Sequence, residues 1–152
     1  MNHAPRVCAV VLNWNRAEDT LACLESLKRE ASASLTVLVI DNGSDDDSVP
    51  RLQAAVPAAN FIAQPKNRGF AAGCNIGIRR ALGERADYVW LLNNDAQVMP
   101  GCLRALTRKA EEDPKLGAVG SVLYSGQHPD TIEAWGGGRI YSNLGGTRHI
   151  YG

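Results

Sequence analysis

Apolar residues in this chain come in short unbroken runs, and most runs end in a cluster of polar or turn-forming residues. Val7 to Leu12 is the first run. It is rich in β-branched residues and predicts a central strand. It ends in Asn13-Trp14-Asn15-Arg16. From Ala17 to Glu30 the spacing changes: Leu21, Cys23, Leu24 and Leu27 recur at helical intervals, and Glu18 and Asp19 suit the positive end of a helix. Leu35 to Ile40 predicts a second strand, closed by Asp41-Asn42-Gly43-Ser44-Asp45, where Asn-Gly is a turn signal. Ser44 to Ser48 offer N-caps. Pro50 fits the first turn of a short helix reaching about Val56, and Pro57 stops it. Asn60 to Ala63 predicts a third strand, with too few apolar residues for a central place.

Gly69, Gly73 and Gly77 then recur every fourth residue, and the pattern continues through Ile78, Ala81 and Leu82 as a helix would. Each glycine costs about 1 kcal/mol of helix propensity against alanine. Close approach of a second backbone or of a ligand is the expected return. Tyr88 to Leu92 is a continuous apolar run that predicts a strand buried on both faces. It changes abruptly to Asn93-Asn94-Asp95. Pro100-Gly101 open a helix to about Glu112, with Leu103 and Leu106 inward, and Pro114 ends it. Leu116 to Tyr124 predicts a fifth strand. Beyond it the expected order is a loop at 125–129, a turn at Trp135–Gly138, a short strand at Arg139–Tyr141, a glycine-rich turn at Asn143–Thr147 and a strand starting at His149. Strands alternating with helices imply an α/β fold: a Rossmann-like, mostly parallel sheet with helices on both faces.

A length of 152 residues suits one domain. Residues 7–124 would form its βα core and residues 125–152 the start of a further region. Sixteen basic residues balance sixteen acidic ones, so no basic surface attracts nucleic acid. No apolar run approaches the roughly 20 residues that span a bilayer, and Met1 to Arg6 lacks the basic-then-apolar pattern of a secretion signal. Cys8, Cys23, Cys74 and Cys102 form no C-x-x-C pair and read as reduced, mostly buried thiols. His3, His128 and His149 lie too far apart for a zinc site.

In a parallel sheet the ends at Asn13–Arg16, Asp41–Asp45 and Asn93–Asp95 fall on one edge, where open α/β sheets bind ligands. Asp41 can accept from the imide N–H of a uracil or thymine ring, or it can cap its turn. Asp95 could hold a magnesium or manganese ion, which would neutralise a departing diphosphate. Alternatively, Asn93 and Asn94 form an Asx-turn and Asp95 lies near a helix start. Neither G-x-G-x-x-G nor G-x-x-x-x-G-K-[ST] occurs, which disfavours a dinucleotide-binding fold and a P-loop NTPase. A nucleotidyltransferase would want a glycine-rich basic loop after the first strand, and residues 13–17 contain no glycine.

The stretches Val-Val-Leu-Asn-Trp-Asn-Arg16, Val-Ile-Asp-Asn-Gly-Ser-Asp45, Asn-Arg-Gly-Phe-Ala-Ala-Gly-Cys-Asn-Ile-Gly77 and Leu-Leu-Asn-Asn-Asp95 together resemble family 2 glycosyltransferases of the GT-A fold, nearest the rhamnosyltransferase-like branch. Four motifs in order over about Val7 to Gly101 carry the resemblance. It implies an inverting transfer from a nucleoside diphosphate sugar (dTDP-, UDP- or GDP-linked, with dTDP-rhamnose favoured) to a saccharide or lipid-linked acceptor in polysaccharide synthesis. By that analogy Asn13, Trp14 and Asn15 line the base pocket and Asp41 reads the base. Gly43 belongs to the same nucleotide-binding set, and Asn67, Gly69, Gly73 and Asn75 flank the nucleotide. Asn93-Asn94-Asp95 replaces the D-x-D motif, with Asp95 as metal ligand.

Two departures stand out. Asn93 lowers the negative charge of the motif, so metal would bind weakly or together with nucleotide. Cys74 stands where many relatives have arginine. An inverting transfer also needs a carboxylate to deprotonate the acceptor. After Asp95 the chain offers Glu111, Glu112, Asp113, Asp130 and Glu133, none in a family motif. The base is therefore expected beyond Gly152, and the chain reads as the donor-binding half of a longer enzyme, inactive alone. Such a half would leave an apolar face open near its C-terminal segment, or cover it by self-association. The competing expectation is a non-catalytic α/β module that binds a nucleotide or a protein. The resemblance places the enzyme in the cytosol or loosely at the inner face of the membrane.

Overall fold

The computed structural model describes residues 4–30, 34–134, 138–141 and 146–149. The chain divides into two compact units, Met1–Pro100 and Gly101–Gly152. The first unit follows the apolar runs closely. Strand β1 (Val7–Asn13) leads to helix α1 (Ala17–Lys28), β2 (Leu35–Asp41) to α2 (Ser48–Ala55), and β3 (Phe61–Ala63) to α3 (Phe70–Gly83), before β4 (Tyr88–Asn93). The sheet order is β3-β2-β1-β4, and every pair is parallel. Order reverses at β1: β2 and β3 lie on one side of it and β4 on the other. The switch between β1 and β4 is where such a sheet opens a crevice at its carboxyl edge.

The two faces of the sheet are packed differently, as the period of two along a strand requires. Cys8 and Val10 of β1 join Leu38 and Ile40 of β2 and Ala81 of α3 in one buried cluster, with Leu12, Ile62, Ile76 and Val89 packed around it. The alternate positions Val7, Ala9, Val11 and Asn13 are also buried, and Asn13 bonds to Thr20 on α1. Helices therefore cover both faces. On the α3 face the glycine spacing serves the approach of helix to strand. A Cβ placed on Gly77 would lie 2.3 Å from Val10 Cγ1, and one on Gly73 would lie 2.5 Å from Leu12 Cδ1.

Two expectations need correction. Tyr88 to Leu92 is not a strand buried on both faces: β4 is an edge strand among the described residues, its side chains are half-buried at best, and Leu91 is 47% exposed. An apolar run records what a strand can bury, not what covers it. Leu116 to Tyr124 is not a fifth strand either. Only Leu123–Tyr124 (β5) is extended into a pair, antiparallel to Ile132–Ala134 (β6). Gly117 and Gly120 interrupt the run, giving few side chains to pack and a large entropy cost for extension.

Within the second unit, α4 (Cys102–Glu112) buries Leu103 and half-buries Leu106. A second antiparallel pair joins β7 (Gly138–Tyr141) to β8 (Gly146–His149), which contains the short strand expected at 139–141. The expected turns at 135–138 and 143–147 fall mostly, and the end of the chain from Ile150 wholly, outside the described residues. Leu116, Val122, Leu123 and Tyr124 are exposed.

The close contact at Gly77 gives a direct expectation. Gly77→Ala should destabilise the chain by about 1–3 kcal/mol in urea unfolding, because Val10 is fully buried and cannot yield. Gly83→Ala, with nothing within 4 Å of the new Cβ, should be neutral or stabilising by up to about 1 kcal/mol.

Candidate functional site

Register brings the polar strand ends together. Asn13 lies beside Asp41, and Leu12 beside Asn93. Asp41 is fully buried, so its carboxylate must find its donors inside the protein. Its Oδ1 accepts from Asn13 Nδ2 at 2.8 Å and from Ser44 Oγ at 2.6 Å, and its Oδ2 accepts from the Ser44 backbone N–H at 3.0 Å. The Asp41 carbonyl takes the Gln64 N–H, and the Asn13 carbonyl takes the Asn42 N–H. Gly43 makes the turn possible. Its φ is +77°, and a Cβ there would sit 2.3 Å from the backbone of Lys66.

Asn15, also in the left-handed region at φ +53°, continues the rim. Its N–H donates to Ser44 Oγ at 2.9 Å. Its side chain exchanges two bonds with Asp45, Nδ2 to Oδ1 at 2.6 Å and Oδ1 from the backbone N–H at 3.0 Å. Trp14 between them is 53% exposed. On the other side of the β2 end, Asn42 Nδ2 donates to Asn67 Oδ1 at 3.0 Å and to the Gly69 carbonyl at 3.3 Å, and the Gly69 N–H donates to Asn67 Oδ1 at 2.7 Å. Gly69 has φ +84° and open space around it. Gly73 is buried under Leu12, whereas Asn75 lies on the exposed side of α3, outside this network.

The third strand end is reached through a residue that sequence reasoning missed. Thr20, fully buried on α1, places its Oγ1 2.8 Å from Asn13 Oδ1 and accepts from Asn94 Nδ2 at 3.0 Å. Asn13, Asp41 and Asn94, one from each strand end, are thus joined by hydrogen bonds. Asp95 follows at the surface. The exposed Arg16 guanidinium is held above its ordinary value, first by its bond to Asp19 and also by the charge of Asp95. Burial, and then Asp95, push the Cys23 thiol up to about 11.

Among the described residues no group of three or more His, Cys, Asp or Glu side chains could hold a metal ion. The segment after β4 offers an exposed carboxylate, Asp95, near the exposed Asn93 that ends the strand. Hard cations such as magnesium are often bound by one or two carboxylates, with substrate phosphates and water completing the shell. This donor set fits a hard, oxygen-bound cation such as magnesium or manganese.

The family model for glycosyl transferase family 2 matches residues 8–142. The chain belongs to glycosyltransferase family 2. Galactofuranosyltransferase GlfT1 of Mycobacterium tuberculosis is 28% identical over 128 residues, covering 83% of this chain and 42% of the relative. An N-acetylglucosaminyl-diphospho-decaprenol L-rhamnosyltransferase of the same organism is 30% identical over 109 residues, covering 66% of this chain and 35% of the relative. Among solved structures, the mannosyltransferase PcManGT from Pyrobaculum calidifontis in complex with GDP-Man and Mn2+ superposes with a TM-score of 0.62 at 21% identity, over 81% of this chain and 36% of that one. The chain spans about two fifths of the length of the galactofuranosyltransferase and about a third of the rhamnosyltransferase. The GT-A fold expected from the four motifs stands. Among the described residues no helix is long and apolar enough to cross a membrane.

Two results follow from the buried network. Asp41→Ala removes the acceptor for three internal donors and should cost about 3 kcal/mol in urea unfolding. Asp47→Ala, which loses only an exposed pair with Arg51 at 3.7 Å, should stay within about 0.5 kcal/mol of the parent. Cys23 should resist iodoacetamide at pH 8 in the folded chain, because a thiol titrating near 11 is only about one part in a thousand thiolate there; intact-mass mapping of alkylated sites would show it.

Proposed function

We propose that this chain is the donor-binding half of an inverting glycosyltransferase that takes a sugar from a nucleoside diphosphate and passes it to a saccharide or lipid-linked acceptor. The observation that carries this reading is the joining of Asn13, Asp41 and Asn94 at the carboxyl edge beside the switch between β1 and β4. That edge then holds an exposed indole for a base, backbone turns at Gly43 and Gly69, and a carboxylate at Asp95 next to Arg16. Asp41, closed off by its own loop, sets the shape of the base pocket, and Trp14 supplies the apolar face. Asn15, Asn67 and Gly69 line the path from base to diphosphate.

A divalent cation would be held by Asp95 together with the diphosphate, and when bound it stabilises the charge on the leaving group. Arg16 adds a second cation beside that carboxylate. The sugar is proposed to be rhamnose or another hexose of surface polysaccharides. A relative named for rhamnose transfer to a polyprenyl-diphosphate-linked sugar supports this, as does a second named for galactofuranose. Glu111, Glu112, Asp113, Asp130 and Glu133 are all exposed, and none is assigned as the base that deprotonates the acceptor.

Calorimetric titration with UDP, dTDP and GDP, with and without manganese, tests the reading. One of the three should bind at least tenfold more tightly with metal, and Asp95→Ala should abolish that gain while leaving metal-free binding within about threefold. Equal metal dependence in the variant would exclude Asp95 as ligand, and no binding of any nucleotide would exclude the donor-site reading.

A further inference from the structure

Helix α1 carries three buried polar side chains at three-residue spacing: Thr20, Cys23 and Ser26, each no more than 1% exposed. Residues three apart share one face of a helix. All three meet the end of β4 or the loop that follows it. Thr20 Oγ1 accepts from Asn94 Nδ2 at 3.0 Å, Cys23 Sγ donates to the Asn93 carbonyl at 3.7 Å, and Ser26 Oγ accepts from the Val98 N–H at 2.9 Å while donating to the Cys23 carbonyl at 2.6 Å. The loop closes on itself through the Ala96 N–H and the Asn93 carbonyl at 3.2 Å. Asp95 is therefore carried on a segment bonded to α1 on both sides, while its own carboxylate stays in solvent. Val98 is buried at the far end and anchors the segment.

Thr20 has a second connection. A hydroxyl has one hydrogen and two lone pairs. Asn94 uses a lone pair, and the hydrogen is shared between Asn13 Oδ1 at 2.8 Å and the Arg16 carbonyl at 3.0 Å. Asn13 in turn holds Asp41 and Ser44. Beside the backbone ladders of β1 with β2 and β4, this hydroxyl gives a side-chain link from the Asn13–Asp41–Ser44 cluster to the segment carrying Asp95.

We infer that Thr20 is a positioning residue that couples the two halves of the donor site: it transmits the arrangement of the Asp41–Ser44 loop to the segment that presents Asp95. Ser26 and Cys23 hold that segment's backbone, and Thr20 sets its register against Asn13. The coupling to metal and nucleotide rests on the donor-site reading above. The mechanical link does not, and it can be measured without ligand.

The test compares Thr20→Val, which keeps the volume and removes the hydroxyl, with Thr20→Ser, which keeps the hydroxyl. In the ligand-free chain, amide exchange at Ala96 and Val98 should quicken about tenfold in Thr20→Val relative to Val39 of β2, and Thr20→Ser should restore it. A merely destabilised fold would quicken all three amides together, and that result, like no change, would overturn the proposal. In the titrations, the ratio of nucleotide affinity with manganese to that without should fall at least fivefold in Thr20→Val and recover in Thr20→Ser. An unchanged ratio would refute the coupling. If the parent chain binds no nucleoside diphosphate, the donor-site reading falls, while the exchange result still decides whether Thr20 links the two loops.

Discussion

A buried carboxylate met by neutral hydrogen-bond donors dictates most of this site. Asp41 sits fully enclosed at the end of β2, and its hydrogen-bond donors are a carboxamide, a hydroxyl and a backbone N–H. Removing an ionised carboxylate from water is costly unless hydrogen bonds replace the lost solvation. Each donor then has to be delivered by the chain in a fixed place. Asn13 must end β1 in register with Asp41. Ser44 must return over the carboxylate, which needs the left-handed Gly43 pressed against Lys66. A half-satisfied version of this cluster would be worse than an apolar one, so the loop has one low-energy shape.

The two faces of the sheet answer two different needs. Toward α3 the contact is apolar and close, with Gly73 and Gly77 letting the helix lie on Leu12 and Val10. That contact fixes where the strands are. Toward α1 the contact turns polar near the strand ends, through Thr20, Cys23 and Ser26. That contact fixes where the loops go. Burying polar atoms on α1 is tolerable because every rung has a partner, and directional bonds hold a loop in register as apolar packing cannot.

The strands and helices of the first unit were legible because their apolar spacing is regular and their ends carry strong signals, such as Asn42-Gly43 and Pro57. The convergence of Asn13, Asp41 and Asn93–Asp95 followed from parallel topology alone. Thr20 was not legible. One threonine in a helical pattern reads as a solvated or neutral position, and only the register of β1 against β4 shows that it faces two carboxamides. Leu116 to Tyr124 misled for the opposite reason: its apolar residues matched a strand pattern, but its glycines and the lack of a parallel partner among the described residues left only two of them paired. The glycines of α3 were ambiguous between ligand and packing. Gly73 and Gly77 resolve toward packing by contact, whereas Gly69, where an added Cβ would meet nothing within 4 Å, remains at the rim.

The single carboxylate at Asp95 has a further physical meaning on the proposed reading. Two carboxylates side by side would attract a cation strongly, but without it they would repel an incoming diphosphate. With Asn93 in the first position that repulsion is smaller, and Arg16 offsets part of what Asp95 contributes. The affinity for free cation falls for the same reason. Metal and diphosphate then each supply what the other needs: the diphosphate provides the oxygens the protein lacks, and the cation screens the charge that Asp95 would otherwise oppose. Such mutual dependence is useful only if Asp95 is already in place when the pair arrives, since a mobile segment would add an ordering cost to a weak site. The bonds from α1 remove that cost in advance, so a site with little charge can still be selective through geometry.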